Sequence, residues 1–138
     1  MIRAGERVFV DTGAWIALAI VRDSMHERAR EAWTSLLEAG ARPIVSVPVL
    51  LETFTYLQRK VSQDVASRWW DSLATVRFLE RVECSTSDLN AAMKFFQRRD
   101  LHKLSLVDAT SFVIMRKHKV RVAFTFDTHF AAAGFRLA

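Results

Sequence analysis

Four carboxylates in apolar company are the residues of this chain that could do chemistry: Asp11, Glu52, Asp108 and Asp127. Asp11 follows Val8-Phe9-Val10, and Asp127 follows Ala123-Phe124-Thr125-Phe126, so each stands where a short apolar strand runs out. Asp108 lies inside the helix-patterned run Leu104 to Lys117, which is apolar on nearly every side and offers no cation at i±3 or i±4. Glu52 comes one turn into a helix opened by Pro48. It lies off the apolar stripe of Leu50, Phe54, Leu57 and Val61 and shares a face with Thr55, Tyr56 and Arg59. An ionised carboxylate in such surroundings is costly to desolvate unless it is paired or bound to a cation.

Four carboxylates brought together repel one another and stay ionised only if a cation compensates. An all-oxygen set without His or Cys suits Mg²⁺ or Mn²⁺ rather than zinc. Such a cation lowers the pKa of bound water, orients it in line and neutralises charge on a phosphodiester. One carboxylate could then take the water's proton. The hydroxyls of Thr12, Ser105 and Thr125 lie beside the acids, where they could hold a bound water or a phosphate oxygen, or cap the turns between strand and helix.

The elements that would position these groups alternate. Strands are expected at Val8–Val10, Pro43–Val47, Val76–Val82 and Arg121–Phe126. Helices are expected over Ala14–Val21, from the capping-box pattern Ser24-Met25-His26-Glu27 to about Glu38, over Pro48–Lys60, and from Ser62 to about Ala74. Two more run from Ser85 with Asp88 through Gln97, and over Leu104–Lys117. That alternation implies an α/β fold with a central parallel sheet and helices on both faces. Ligands of open α/β sheets bind outside the carboxyl ends of the strands, so acids at two strand ends share one rim, and helix starts can bring Glu52 and Asp108 to it.

Taken alone, Asp11 has other readings. It could cap the helix that follows, and Asp11-Thr12-Gly13 also matches the active-site triplet of aspartic proteases. Those enzymes are all-β, which the helix pattern after Gly13 contradicts, and three further acids would go unexplained. An α/β metal-dependent phosphatase is a second rival, but it wants another aspartate at position 13, where this chain has Gly. A binding module that does no chemistry is the third.

The four acidic segments resemble, in order, the motifs of the PIN-domain ribonucleases. They are Val8-Phe9-Val10-Asp11-Thr12, Pro48-Val49-Leu50-Leu51-Glu52, Ser105-Leu106-Val107-Asp108-Ala109-Thr110-Ser111-Phe112 and Ala123-Phe124-Thr125-Phe126-Asp127-Thr128-His129-Phe130. The resemblance covers about Val8 to Phe135. It implies a three-layer PIN-like fold and Mg²⁺- or Mn²⁺-dependent endonucleolytic cleavage of RNA, with Asp11, Glu52, Asp108 and Asp127 as catalytic and metal-binding residues. Small single-domain members are commonly toxins of toxin–antitoxin pairs, which implies an antitoxin protein as partner beside the RNA substrate, and a homodimer. The alternative within the family is a non-catalytic RNA- or antitoxin-binding module.

The remaining residues set bounds. A chain of 138 residues is expected to form one domain over positions 1–138, and its formal charge of +5 favours an anionic partner. The single cysteine, Cys84, cannot form an internal disulfide, and the longest early apolar run is eight residues. A cytoplasmic, membrane-free setting is the expectation. Arg98, Arg99 and Lys103 precede the third acid and are offered for RNA contact; Arg116 to Lys119 read first as helix-end cations. His129 could touch substrate or a bound water, or pack at a helix start, while His26, His102 and His118 read as surface residues. Trp33 reads as core. Trp15 and Tyr56 read as core or dimer packing before base stacking.

Overall fold

The structure, a computed structural model, describes residues 2–138. Val8, Phe9 and Val10 have almost no exposed surface, and they form the central strand β1 (Arg7–Val10). The chain then turns at once into α1 (Thr12–Ala19) and continues through α2 (His26–Glu38), β2 (Arg42–Ser46), α3 (Val47–Lys60) and α4 (Gln63–Ser72). Next come β3 (Glu80–Val82), α5 (Thr86–Ala92), α6 (Leu106–Lys117), β4 (Val122–Phe124), α7 (His129–Ala132) and β5 (Arg136–Leu137). All five strands are parallel, in the order β3-β2-β1-β4-β5.

Both faces of the sheet are covered. Val10 is in register with Phe124, which stacks on Trp33 of α2; Phe9 packs on Phe130 of α7, which meets Phe112 of α6 edge to face. Helices α1 to α4 therefore form one outer layer, and α5 to α7 the other. This is the expected three-layer arrangement. The chain winds outward from β1 through β2 to β3, then crosses back to β4 on the other side. The point where winding reverses lies between β1 and β4, and a crevice opens there at the carboxyl ends.

Several elements differ from their sequence outline. The third strand is only Glu80–Val82, because a 3₁₀ turn at Leu73–Thr75 extends α4 and Phe78 takes a positive φ of 61° in the turn that follows. The fourth stops at Phe124, where side-chain hydrogen bonds take over from the ladder. Helix α2 starts at His26 without the anticipated capping box. The Asp23 carboxylate accepts from the Met25 N–H instead. The box at Ser85 and Asp88 does form, although α5 becomes a 3₁₀ turn at Met93–Gln97. Helix α7 and strand β5 were not anticipated, being too short to show a period. Among the described residues no helix is long and apolar enough to cross a membrane.

Candidate active site

All four acids line one cleft of about 440 Å³ at the point where the winding reverses. The end of β1 supplies Asp11, and the turn after β4 supplies Asp127. Glu52 comes from the second turn of α3, which Ser46 caps through the Val49 N–H at 3.3 Å. Helix α6 begins one residue after Ser105, whose hydroxyl accepts from the Asp108 N–H at 3.0 Å. Asp108 is thus in the first turn, where the helix dipole favours an anion and where a helix start brings it to the rim as expected. Thr12, Ser105, Tyr56 and Phe126 complete most of the wall.

Asp11 stands at the N-cap position of α1 with extended backbone, but its side chain makes no capping hydrogen bond. Its Oδ2 accepts a hydrogen bond of 2.9 Å from the Thr125 hydroxyl, which in turn accepts from the Asp127 N–H at 3.0 Å. One threonine therefore sets two acids. The other oxygen, Oδ1, is buried without a hydrogen-bond partner, a costly condition for a carboxylate. Burial pushes Asp11 up to about 6 against the pull of the Thr125 hydroxyl and the Thr12 backbone, and the Asp127 and Glu52 charges add to the rise.

Asp108 is pushed up to about 7, chiefly by burial and then by the charges of Asp11 and Asp127. Asp108, Asp127 and His129 each place one ligand-capable atom within 4.8 Å of the others. His129 Nδ1 lies 2.9 Å from Asp127 Oδ1, and Nε2 lies 2.6 Å from the His102 carbonyl oxygen. Partial burial opposes protonation of this ring. The Asp127 carboxylate and the His102 carbonyl outweigh it and raise the pKa. A carbonyl only accepts, so Nε2 carries a proton, and a protonated Nδ1 would face the carboxylate favourably. The donor set fits a hard divalent cation: carboxylate oxygens from four elements, one of them buried and unpartnered, with a single ring nitrogen at the margin.

Other predicted site residues sort differently. Ser105 serves as the N-cap of α6, and the Thr12 hydroxyl is buried without a partner. Arg98, Arg99 and Lys103 do not line the cleft. Arg98 donates to both oxygens of Asp100 and to the Ala132 carbonyl, which holds its guanidinium beside the end of α7. Arg99 and Lys103 are exposed, with Lys103 in the left-handed region. Trp15 is buried against Trp33 and Trp69, a core role, whereas Tyr56 is exposed at the cleft wall. His26 is half-buried, its Nδ1 2.7 Å from the Ala17 carbonyl oxygen, which joins α2 to α1. Burial raises the Cys84 thiol, which leaves it a poor nucleophile. Phe126 was missed as a wall residue; the Arg28 guanidinium 5.8 Å from its ring comes from α2, which no local pattern reveals.

A family model described as "PIN domain" matches residues 8–136. The chain belongs to the PIN-domain family. This PIN domain is 39% identical over 133 residues to the 23S rRNA-specific endonuclease VapC20 of Mycobacterium tuberculosis, covering 93% of this chain and 95% of the relative. The crystal structure of Mycobacterium tuberculosis VapC20, described as a sarcin–ricin loop cleaving toxin, superposes with a TM-score of 0.81 at 32% identity over 93% of this chain and 95% of that one. VapBC2 from Rickettsia felis, bound to a DNA fragment from its promoter, shares the fold alone, with a TM-score of 0.69 at 11% identity over 96% and 97% of the two chains.

Proposed function

We propose that this PIN domain, spanning positions 1–138, is an endoribonuclease that hydrolyses RNA phosphodiester bonds with Mg²⁺ or Mn²⁺ held by Asp11, Glu52, Asp108 and Asp127. The observation that carries the reading is the buried, unpartnered Oδ1 of Asp11 in a cleft shared with three further carboxylates. Apolar surroundings would not retain such a group for packing. Similarity to VapC20, described as a 23S rRNA-specific endonuclease and a sarcin–ricin loop cleaving toxin, supports a structured ribosomal RNA as substrate and the role of toxin. An antitoxin protein as partner and a cytoplasmic setting complete the reading. A homodimer belongs to the same proposal.

When bound, the cation supplies charge neutralisation at the scissile phosphate and an acidified water. The chain's own residues do the rest. Thr125 fixes the relative positions of Asp11 and Asp127, Ser105 holds the α6 start so that Asp108 faces the cleft, and Tyr56 offers a ring at the wall for an unpaired base. His129 orients Asp127 from outside.

The test is cleavage of ribosomal RNA by purified wild type, Asp11→Asn and Asp108→Asn, with Mg²⁺, Mn²⁺ or chelator. We expect metal-dependent cleavage by the wild type and loss of at least about 100-fold in both variants, with unchanged circular dichroism. Cleavage that persists in both variants would remove the four-carboxylate site. Arrest of growth by wild type but not by Asp11→Asn, relieved by a co-expressed antitoxin, is the expected cellular result.

A further inference from the structure

The opposite end of the sheet holds the reverse charge. A cavity of about 800 Å³ there is lined by Arg3, Arg116, Lys119, Arg121 and Arg136, with Glu6 as the one acid. Glu6 is already engaged by the Arg136 guanidinium at 3.2 Å and the Arg3 N–H at 3.0 Å. The side chains of Arg3, Lys119 and Arg121 make no ion pair among the described residues. The helix dipole accounts for Arg116 at the end of α6, but Arg3, Arg121 and Arg136 converge from three other segments. Charge gathered from separate parts of the chain is not a helix-end effect.

Two details suit a binding role. The Arg116 guanidinium lies over the Phe95 ring at 5.1 Å and the Phe135 ring at 6.0 Å, and it donates to the Ala133 carbonyl. A planar fork held in this way loses little freedom on meeting a phosphate. Lys119 follows the helix end with φ 57°, in the left-handed conformation where glycine is the default, so the cation is kept against backbone preference.

Helix α6 connects the two ends, with Asp108 in its first turn and Lys119 just past its last. Eleven residues at 1.5 Å each put them roughly 17 Å apart. Five residues of strand from Glu6 to Asp11 give about the same figure. That distance runs through the buried core, so an RNA that meets both ends must pass over the surface by a longer route, which favours a structured RNA over a short strand.

We propose that this basic cavity is a second RNA-backbone site, remote from the cleft, that captures the phosphates of a structured RNA. It rests on the ribonuclease reading for its occupant. The four carboxylates of the cleft repel RNA, so the cavity supplies the attraction that the reacting site lacks.

The experiment measures binding in chelator by fluorescence anisotropy. The probe is a labelled RNA stem-loop, and the control is Arg22→Ala/Arg68→Ala, which removes the same charge from exposed positions outside both sites. The double variant Lys119→Ala/Arg121→Ala should bind the stem-loop about tenfold or more weakly at low salt and lower the salt slope by about 2, with little change in the control variant. Lys119→Arg/Arg121→Lys should restore binding. Unchanged affinity and slope, or equal loss in the control variant, would overturn the proposal. So would poly-glutamate binding as tight as the stem-loop's and lost in the same variant, which would make the partner an acidic protein. Because binding is read without metal, absence of cleavage by the wild type would defeat the catalytic reading separately and leave this measurement intact.

Discussion

Replacing Asp11 by Asn should stabilise the metal-free protein at alkaline pH while destroying its activity. Burial raises Asp11 from 3.8 to about 6, so between those values the folded chain holds a proton that the unfolded chain has released. A raised folded pKa gives stability that is fully present below the unfolded value and is lost as pH rises through the folded one. A shift of about 2 pKa units corresponds to about 3 kcal/mol, present near pH 4 and gone by about pH 8. Asn cannot ionise, and its Oδ1 can still accept from Thr125, so the variant escapes most of this loss. In a chain of this length the difference is worth about 10 °C in Tm. Urea unfolding followed by tryptophan fluorescence, in chelator at about pH 4 and about pH 8, reads the effect directly. The gap between variant and wild type should widen by about 2–3 kcal/mol from the lower pH to the higher. Adding Mg²⁺ at the higher pH should stabilise the wild type and close the gap. A gap that does not change with pH, or a variant less stable than wild type at about pH 8, would refute the claim that burial of this charge strains the empty site.

Two substitutions near the acids separate positioning from chemistry. Thr125→Val keeps the shape but removes both the donor to Asp11 and the acceptor for the Asp127 N–H; RNA cleavage should fall about 10–100-fold, and Thr125→Ser should restore it. An active Val variant would show that Asp11 is held by packing alone. Ser105→Ala removes the α6 cap and should cost about 1 kcal/mol in urea unfolding, with a loss of cleavage larger than that of stability because Asp108 lies in the freed turn.

Much of the site was legible because its acids violate an apolar pattern. Asp11 and Asp127 each end an apolar strand, and Asp108 interrupts an apolar helix; a carboxylate in such a place asks for a partner wherever the chain goes. Parallel topology was legible in the same way, from strands too apolar to face water alternating with helices. What was not legible depended on distant segments. Arg98 is tied to the Ala132 carbonyl 34 residues on, and Trp15, read as core, meets its neighbours Trp33 and Trp69 only where three helices converge. Strand β5 has only two residues, Arg136 and Leu137, and exists because β4 lies beside it.

By itself the sequence determined the inventory: which strands must be buried, which residues interrupt them, and that four oxygen-bearing acids recur in one order. These are local properties, set by side-chain polarity and the periods of helix and strand. Only the tertiary structure brought these acids into one cleft. Asp11 occupies the cap position the sequence allowed it, yet its carboxylate turns from the helix to Thr125, 114 residues away. Its second oxygen is left without a partner because the sheet reverses its winding there and brings three more carboxylates instead. Because β4 runs parallel to β1, the C-terminal end of α6 lies at the opposite end of the sheet, where arginines that look like scattered surface charge converge on one cavity.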